Sequence, residues 1–469
     1  MSSPRTNRRG TATARRAPGI ARDAGRPARL VALGFLGAAI LGSLLLMLPA
    51  SSADGSWTPP LPALFTATSA VCVTGLTVVD TELHWSGFGQ VVIMTLIQVG
   101  GLGVMTLATL LGMLVSTHLG LRMGLTVLSE GRGQGLGDLR RVILGILRTA
   151  LAVELVIALV IGVRFHLRYE MEIPRAAWFG VFHAVSAFNN AGFGLRSQNL
   201  MPYATDPVIV WPLAAAIIVG GLGFPVLLEL RRLLADRYAA SGARQMISVH
   251  TRLTVLTYGV LLVLGVVAFV VLEWTNQRTV GGWSVVDKIT GAGFHGITVR
   301  TAGFNTLDIS QMRTQSWLVS DVLMFIGGGS AGTAGGIKVA TFALLAVLIW
   351  SEIRGEAKVH VMGRSIAPGI QRQAVTVALL SVGLVLSATL ALSIITEYSL
   401  DQILFEVISA FGTVGLTTGI TPMLPADAQL IVIGLMYAGR LGPITLATSL
   451  ALRTVHRRYD YPEGRVVVG

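Results

Sequence analysis

Four short glycine motifs recur along the chain at a nearly constant spacing. Gly75, Gly192, Gly303 and Gly415 are separated by 117, 111 and 112 residues. Glycine permits backbone geometries that point carbonyl oxygens into a narrow passage, and such oxygens can replace the water shell of a cation such as K⁺. One such glycine in a chain that contains 55 is better explained by a turn or by close helix packing. Four in register favour an ion filter built from backbone carbonyls.

The candidate filter consists of each glycine and the two residues before it. These residues are Val73, Thr74, Gly75, Asn190, Ala191, Gly192, Thr301, Ala302, Gly303, Thr413, Val414 and Gly415. Serine begins the lead-in six residues before three of the glycines, at Ser69, Ser186 and Ser409, whereas the third lead-in has Ile297-Thr298. Because the chemistry uses main-chain oxygens, we expect K⁺ at the filter backbone only, with no other metal and no covalently bound cofactor.

The composition places these motifs in a membrane. Of 469 residues, 52% are hydrophobic and 13% are charged, against about 25% charged in soluble proteins. Lys and Arg number 36 against 24 Asp and Glu, a net charge of +12. In a polar chain this excess would suggest nucleic acid, but here it favours a multi-pass membrane protein with basic cytoplasmic loops. We therefore expect a lipid bilayer and no nucleic acid. Cys72 is the sole cysteine, so no disulfide can form within the chain.

Apolar stretches of about 20 residues, the length of a membrane-spanning helix, occur eight times. They lie at 29–49, 88–115, 139–163, 207–230, 252–273, 316–350, 373–396 and 428–452. Each pair encloses a shorter stretch that ends in a glycine motif and is too short to cross. Irregular backbone at membrane depth must line water or be buried in protein. The pattern predicts an all-α multi-pass membrane protein, with four tandem helix–pore loop–helix repeats around a pseudo-fourfold, K⁺ channel-like pore.

Basic segments fix the expected topology. Eight arginines lie before or at the start of the first span and further basic residues follow every second span, which predicts cytoplasmic N and C termini. A cleaved signal peptide ending at Ala50-Ser51-Ser52-Ala53 is the alternative, but the apolar run is longer than the usual 7 to about 15 residues. The expected order is a disordered basic cytoplasmic tail (1–28), repeat 1 (29–115), a cytoplasmic linker (116–138), repeat 2 (139–233), a linker (234–250), repeat 3 with a broken inner helix (251–350), a linker (351–371), repeat 4 (372–452) and a cytoplasmic tail (453–469).

A glycine-rich string interrupts the sixth span. It comprises Gly327, Gly328, Gly329, Ser330, Ala331, Gly332, Thr333, Ala334, Gly335, Gly336 and, after Ile337, Lys338. Each glycine costs a helix about 1 kcal/mol relative to alanine, so we expect a break at membrane depth and a candidate gate. A loose packing kink is the plainer alternative. The order of a phosphate-binding loop is absent because Val339 follows Lys338.

Arg440 lies inside the eighth span. Since an arginine at a helix centre costs about 2.5 to 3.5 kcal/mol, it should face water, carbonyls or an acid. We expect it to raise a barrier below the filter and to brace the gate segment, with a structural ion pair as the alternative. Three further acids, Glu154, Asp321 and Glu406, are expected to satisfy a pore helix or another neighbour. No histidine cluster has metal-ligand spacing.

The motifs resemble those of the Trk/Ktr/HKT superfamily of potassium transporters, and most of all its KtrB group of bacterial membrane subunits. The resemblance covers nearly the whole chain after the tail and is carried by Thr74-Gly75-Leu76, Asn189 to Phe193, Arg300 to Thr306 and Phe411 to Gly419. One span precedes the first pore segment, as in the Ktr type, whereas TrkH subunits usually carry an extra helix pair. The resemblance also implies an arginine at position 440 and an intramembrane gate loop in repeat 3.

The resemblance further implies partners and a location. It implies a homodimer in the bacterial plasma (inner) membrane, controlled by a cytoplasmic nucleotide-binding ring of the KtrA/TrkA type. Nucleotide is expected on that partner only, because this chain has no Rossmann fingerprint. Each motif has one glycine where K⁺ channels have Thr-Val-Gly-Tyr-Gly, which implies less stringent selection against Na⁺. Potassium transport is therefore expected, with Na⁺ as a second candidate ion or a coupling ion.

Three other functions compete with this interpretation. A cation transporter of Na⁺ or mixed selectivity would use the same architecture. A secondary transporter with inverted repeats would show twofold rather than fourfold repetition. A membrane-embedded enzyme would cluster polar residues at one interface, and the sequence indicates no such cluster. We expect a transporter and not an enzyme.

Overall fold

The structure is a computed structural model that describes residues 26–103, 106, 136–238, 247–356 and 358–442. Several predicted segments lie outside the described residues: the basic tail before residue 26, the end of the second predicted span after residue 103 except residue 106, most of linker 116–138, residues 239–246 of linker 234–250, the end of the last predicted span and the tail 453–469. The described part is mostly helical, with one two-stranded hairpin of β1 (His360–Val361) and β2 (Arg364–Ser365).

The helices follow one order in each quarter of the chain: a long first helix, a short helix that ends at a glycine motif, and a return helix. The first helices are α1 (Arg26–Leu46), α4 (Leu136–Tyr169), α8 (Val249–Glu273) and α12 (Pro368–Ile395). The short helices are α2 (Pro60–Val71), α5 (Ile173–Phe188), α9 (Val285–Thr298) and α13 (Leu400–Gly412). The return segments are α3 (Gly87–Gly103), α6 (Pro207–Leu222) with α7 (Phe224–Tyr238), α10 (Thr314–Phe325) with α11 (Val339–Ile353), and α14 (Ala426–Leu441).

The first helices face outward. Within their most apolar windows only 22% to 39% of residues are buried, although mean hydropathy there is 2.1 or higher. Apolar side chains on the outside are stable where the surroundings are hydrocarbon, as in a bilayer. The short helices are mostly buried and begin at proline in the first turn (α2, α5) or at a capping serine (α9, α13).

Two of the eight predicted spans are broken. The predicted span 207–230 is wrong as one helix, because α6 and α7 meet at Gly223 with a bend of 104°. Gly223 has a φ of +91°, and Pro225 follows it in the first turn of α7. The predicted span 316–350 is divided into α10 and α11 by residues 326–338. Four described helices are long and apolar enough to cross a membrane, or five if the bent pair counts as one.

Packing follows a cyclic order around the molecule. The return helix of one quarter contacts the short helix of the next: α6 packs on α9, α10 on α13, and α14 on α2. The first quarter contacts the second in the same way, since Gln90 Oε1 of α3 accepts a hydrogen bond of 2.9 Å from Trp178 Nε1 of α5. The chain therefore closes on itself, and its four short helices surround a common centre.

Candidate functional site: the glycine ring and the loop against it

The four glycine motifs adopt one backbone conformation. The residue two before each glycine has a positive φ, namely 57° at Val73, 58° at Asn190, 74° at Thr301 and 50° at Thr413. The glycines themselves have φ values of 94°, 69°, 74° and 92°. Positive φ is uncommon for residues with a Cβ, so its repetition at four equivalent positions indicates one specified geometry.

The motifs form a closed ring, which the glycines make possible. A Cβ on Gly75 would lie 2.3 Å from the carbonyl oxygen of Ala191, and one on Gly192 would lie 2.8 Å from that of Ala302. The same contact joins Gly303 to Val414 at 2.0 Å and Gly415 to Thr74 at 2.0 Å, which returns to the first motif. Only hydrogen fits between each glycine and the next carbonyl. We call these four motifs the glycine ring.

The serines of the lead-ins anchor the ring. Ser69, Ser186 and Ser409 each accept, on the main-chain oxygen, a hydrogen bond of 2.7 to 2.9 Å from the residue before the glycine. The hydroxyls of Ser69 and Ser409 also accept from the glycine amide, at 3.1 and 3.2 Å. In the third motif Thr298 has this role one position later, and its oxygen accepts from Ala302 and Gly303. This shift accounts for the third lead-in departing from the serine pattern.

The electrostatics of the ring favour a cation. Each short helix ends directly before its motif, so the negative ends of four helix dipoles converge on the ring. Two hydroxyl oxygens of the ring, Thr74 Oγ1 and Thr413 Oγ1, are buried and have no hydrogen-bond partner among the described residues. Carbonyl oxygens, these hydroxyls and helix C-termini together form a set of hard oxygen donors with no basic side chain among them, which suits an alkali cation.

Residues 326–338 lie against one end of the ring. We call this segment, which the sequence predicts as a gate, the gate loop. Its two ends are joined by Gly327 N donating to Ile337 O at 2.8 Å. Gly329 N donates to Gly221 O at 2.8 Å, which ties the loop to α6. A Cβ on Gly335 would lie 2.1 Å from Thr413 Oγ1, so the loop touches the fourth motif directly. Lys338 Nζ donates to Ala334 O within the loop.

Arg440 holds the gate loop from the fourth quarter. Its Nη1 donates to the carbonyl of Thr333 and its Nη2 to the carbonyl of Gly100 at 2.9 Å. The side chain is 4% exposed and forms no ion pair with an acid in the described part of the chain. The sequence predicts that Arg440 faces water, carbonyls or an acid. In the structure its partners are main-chain carbonyls, and one of them belongs to the gate loop.

Arg300 is a contact that the sequence reasoning missed. It lies three residues before Gly303 and is 1% exposed. Its Nη1 donates to Tyr258 O and its Nη2 to Gly327 O, both at 2.9 Å, and its guanidinium stacks on the Tyr258 ring. The third motif is thereby linked to the start of the gate loop. The signal that could have found Arg300 is a cation directly before a glycine motif, in a stretch predicted to enter the membrane, where a charge is costly unless it faces water, carbonyls or an acid.

The buried acids have different surroundings. Glu406 accepts from Thr418 N at 2.9 Å and from the hydroxyls of Thr417 and Thr421, so it secures the segment after the fourth motif. Glu154 accepts from Gln98 Nε2 at 3.0 Å and from Asn189 Nδ2 at 3.3 Å, directly behind the second motif. Asp321 faces an apolar crevice between α10 and α13, and its Oδ1 has no partner among the described residues.

Glycines in the return helices let these helices approach the short helices. A Cβ on Gly100, Gly220 or Gly439 would lie 1.8 to 1.9 Å from the carbonyl oxygen of Val71, Phe188 or Phe411, which end their short helices or lie next to the end. The strings Gly-Gly-Leu-Gly at 100–103 and 220–223 therefore serve close packing, and Gly439-Arg440-Leu441-Gly442 is their counterpart in the fourth quarter. Arg440 occupies the place of Gly101 and Gly221.

The family follows from comparison with known proteins. The family model described as "TrkH: Cation transport protein" matches residues 34–455. The chain belongs to the TrkH family. The family consists of cation transporters, which identifies the chain as a membrane transporter rather than an enzyme, and the resemblance read from the glycine motifs is confirmed.

Relatives of the TrkH-family chain align over almost its entire length. It is 38% identical to the Ktr system potassium uptake protein B of Bacillus subtilis (strain 168), over 94% of this chain and 97% of the relative. It is 37% identical to the protein of that name from Vibrio alginolyticus, over 94% of each chain. It is 34% identical to the potassium/sodium uptake protein NtpJ of Enterococcus hirae, over 94% of this chain and 97% of the relative.

A solved TrkH-family structure has the same fold. The potassium transporter TrkH from Vibrio parahaemolyticus superimposes with a TM-score of 0.72 over 93% of this chain and 87% of that chain, at 18% sequence identity. At this identity the match supports the fold alone, and it agrees with the all-helical membrane architecture predicted from the sequence.

Proposed function

We propose that the chain is the ion-translocating subunit of a Trk/Ktr-type potassium uptake system. The observation that carries the proposal is the closed glycine ring, in which four carbonyl oxygens meet four neighbouring glycines in cyclic order. Such a ring can exchange an ion's water shell for peptide oxygens. The four repeats would then surround a pseudo-fourfold pore with the ring as its selectivity filter. The names of the relatives, which describe potassium uptake proteins, support K⁺ as the ion.

Transport by the purified protein tests the proposal. Reconstituted into K⁺-loaded liposomes, the full chain should accumulate radioactive Rb⁺, a K⁺ substitute, above the level of protein-free vesicles. Gly192→Ser or Gly303→Ser should weaken the competition advantage of K⁺ over Na⁺, because each puts a side chain against a ring carbonyl. Absence of Rb⁺ uptake by folded protein would contradict the proposal. Unchanged ion competition in both variants would exclude the ring as the filter.

Mixed potassium and sodium transport is the second candidate function. It is favoured by the single glycine per motif, which offers fewer oxygen layers than a full K⁺ channel filter, and by the name of the NtpJ relative. Na⁺ dependence of K⁺ uptake is a separate possibility. Measuring Rb⁺ uptake against external Na⁺ separates the two: Na⁺ inhibits if it competes for the ring and stimulates if it is coupled to uptake.

The gate loop is proposed to obstruct the ion path. The loop contacts the second and fourth motifs, and the positively charged side chain of Arg440 donates to the carbonyl of Thr333 in the loop. A fixed cation and a packed loop at one end of the ring would both raise the barrier to K⁺. Shortening the loop between Gly327 and Gly336 should therefore raise flux. Unfolding or unchanged flux would instead indicate a structural segment.

The proposal also covers the oligomeric state of the protein and the side of the membrane on which its termini lie. The "Ktr system" in the relatives' names supports a multi-component system, and we propose a homodimer bound by a cytoplasmic nucleotide-binding ring of the KtrA/TrkA type. The basic segments support cytoplasmic termini in a bacterial plasma membrane. Light scattering of the solubilised protein tests the dimer, and the effect of an added partner ring with ATP or ADP on Rb⁺ flux tests the control.

A further inference from the structure

Thr333 is bonded to three different parts of the molecule at once. Its amide donates to Gly220 O of α6 at 3.3 Å, and its carbonyl accepts from Arg440 Nη1 of α14. Its hydroxyl donates to Asn190 Oδ1 in the second motif at 3.2 Å. The residue is fully buried. A single residue of the gate loop therefore joins two return helices and the glycine ring.

The connection continues into the third motif. Asn190 Nδ2 donates to Thr301 Oγ1 at 3.4 Å. Asn190 and Thr301 occupy equivalent positions in their motifs, each two residues before its glycine and each with a positive φ. The Thr333 hydroxyl on Oδ1 thus fixes which way the Asn190 amide faces, and the amide group in turn joins two neighbouring motifs. Hydrogen bonds run without interruption from the gate loop to two of the four motifs.

Other loop contacts with the ring have a different character. Gly335 meets Thr413 by packing alone, and Arg300 reaches the loop through the main chain of Gly327. Within the described part of the chain, Thr333 is the gate-loop residue whose side chain hydrogen-bonds a glycine motif. Any movement of the loop away from the ring must break this bond. The buried Oδ1 of Asn190 would then lose the hydroxyl donor that orients the amide, at a cost typical of an unpaired buried polar group.

We propose that Thr333 is a positioning residue that couples the gate loop to ion selection by the ring. This inference rests on the proposed function and adds a specificity-determining residue to it. With the loop in place, Thr333 holds Asn190 and, through it, Thr301, so the backbone of the second and third motifs stays in the ring geometry. With the loop displaced, both motifs lose that restraint. The position of the gate loop and the selection of K⁺ are consequently linked. Weakening the hydrogen bond from Thr333 to Asn190 should make the loop easier to displace and should lower selection for K⁺ over Na⁺.

The test compares substitutions that differ in one hydroxyl. Thr333→Val removes the hydroxyl at constant shape, and Thr333→Ser keeps it. Thr389→Val is the matched control, because Thr389 is also buried, lies in α12, and its hydroxyl has no partner among the described residues. Each full-length variant is reconstituted alone into liposomes. Two quantities are measured: basal Rb⁺ flux and the Na⁺ concentration that halves it.

For Thr333→Val we expect basal flux to rise about fivefold and the half-inhibitory Na⁺ concentration to fall about fivefold, the change expected from losing one buried neutral hydrogen bond. Thr333→Ser and Thr389→Val should match the parent protein. Values for Thr333→Val equal to the parent's overturn the inference, as does a change in only one of the two quantities. A Thr333→Ser variant that behaves like Thr333→Val also overturns it. If Thr333→Val does not insert stably, Thr333→Ala gives the same comparison.

The parent protein separates this inference from the proposed function. Parent liposomes without Rb⁺ flux would overturn the proposed function, and the coupling with it. Parent liposomes with flux, but with Thr333→Val unchanged, would overturn the coupling alone.

Discussion

Alanine at each ring glycine in turn should weaken ion selection to a different degree at each position. All four glycines have positive φ, where an L side chain costs about 1 to 2 kcal/mol. That strain is common to the four variants and cannot rank them. The distance from a new Cβ to the neighbouring carbonyl oxygen does differ, being 2.0 Å at Gly303 and Gly415, 2.3 Å at Gly75 and 2.8 Å at Gly192.

These distances set the size of the disturbance. Ordinary contact begins at 3.4 Å, so the carbonyl of Val414 must move by 1.4 Å to admit Gly303→Ala, whereas Ala302 must yield 0.6 Å to admit Gly192→Ala. A shift above 1 Å removes an oxygen from the position where it can hold an ion. For Gly303→Ala we expect K⁺ over Na⁺ selection to fall at least about tenfold, and for Gly192→Ala about threefold, where tenfold equals about 1.4 kcal/mol.

The assay is Rb⁺ uptake into liposomes by each variant, with K⁺ and Na⁺ as competitors, at equal amounts of folded protein. The order of damage should be Gly303 and Gly415 first, then Gly75, then Gly192. Greater loss of selection for Gly192→Ala than for Gly303→Ala would refute the geometric reasoning. So would four equal losses, since only the shared backbone strain would then matter.

Three other substitutions each change one defined contact. Arg440→Gln removes the charged group that donates to Thr333 O and Gly100 O, so basal Rb⁺ flux should rise severalfold. Unchanged flux would contradict a role of Arg440 in holding the gate loop. Gly439→Ala places a Cβ 1.8 Å from Phe411 O and should lower the yield of folded protein by size-exclusion chromatography, whereas Gly434→Ala on the same helix meets nothing within 4 Å and should not. Glu406→Gln replaces one carboxylate oxygen by an NH₂ group that faces the donors Thr418 N and Thr421 Oγ1. The free energy of unfolding should fall by about 1 to 3 kcal/mol, seen as a lower thermal unfolding midpoint in detergent. An unchanged midpoint would show that these hydrogen bonds contribute little.

Much of the architecture could be predicted because the repeat is encoded locally. Gly75, Gly192, Gly303 and Gly415 are recognisable from spacing alone, and the structure gives all four the same backbone conformation. The serine at a fixed offset is visible in three lead-ins, and in the third motif Thr298 replaces it by a shift of one residue. The hydropathy of the sequence also locates the first helices, since each is continuous and apolar.

Other features depend on contacts between distant parts of the chain. The bend at Gly223 was missed because apolar residues continue on both sides of it, although a glycine followed two residues later by proline is a local sign of a break. The bond from Thr333 to Asn190 spans 143 residues in sequence and has no local signature. Closure of the ring, from Gly415 to Thr74, is likewise a property of the fold.

If the glycine ring holds the transported cation, the ion should be visible there by anomalous X-ray diffraction from crystals grown in Rb⁺. We expect anomalous peaks at the centre of the ring, between the carbonyl oxygens of Thr74, Ala191, Ala302 and Val414. Strong Rb⁺ peaks elsewhere in the protein, with none at the ring, would show that the ring is not the ion site.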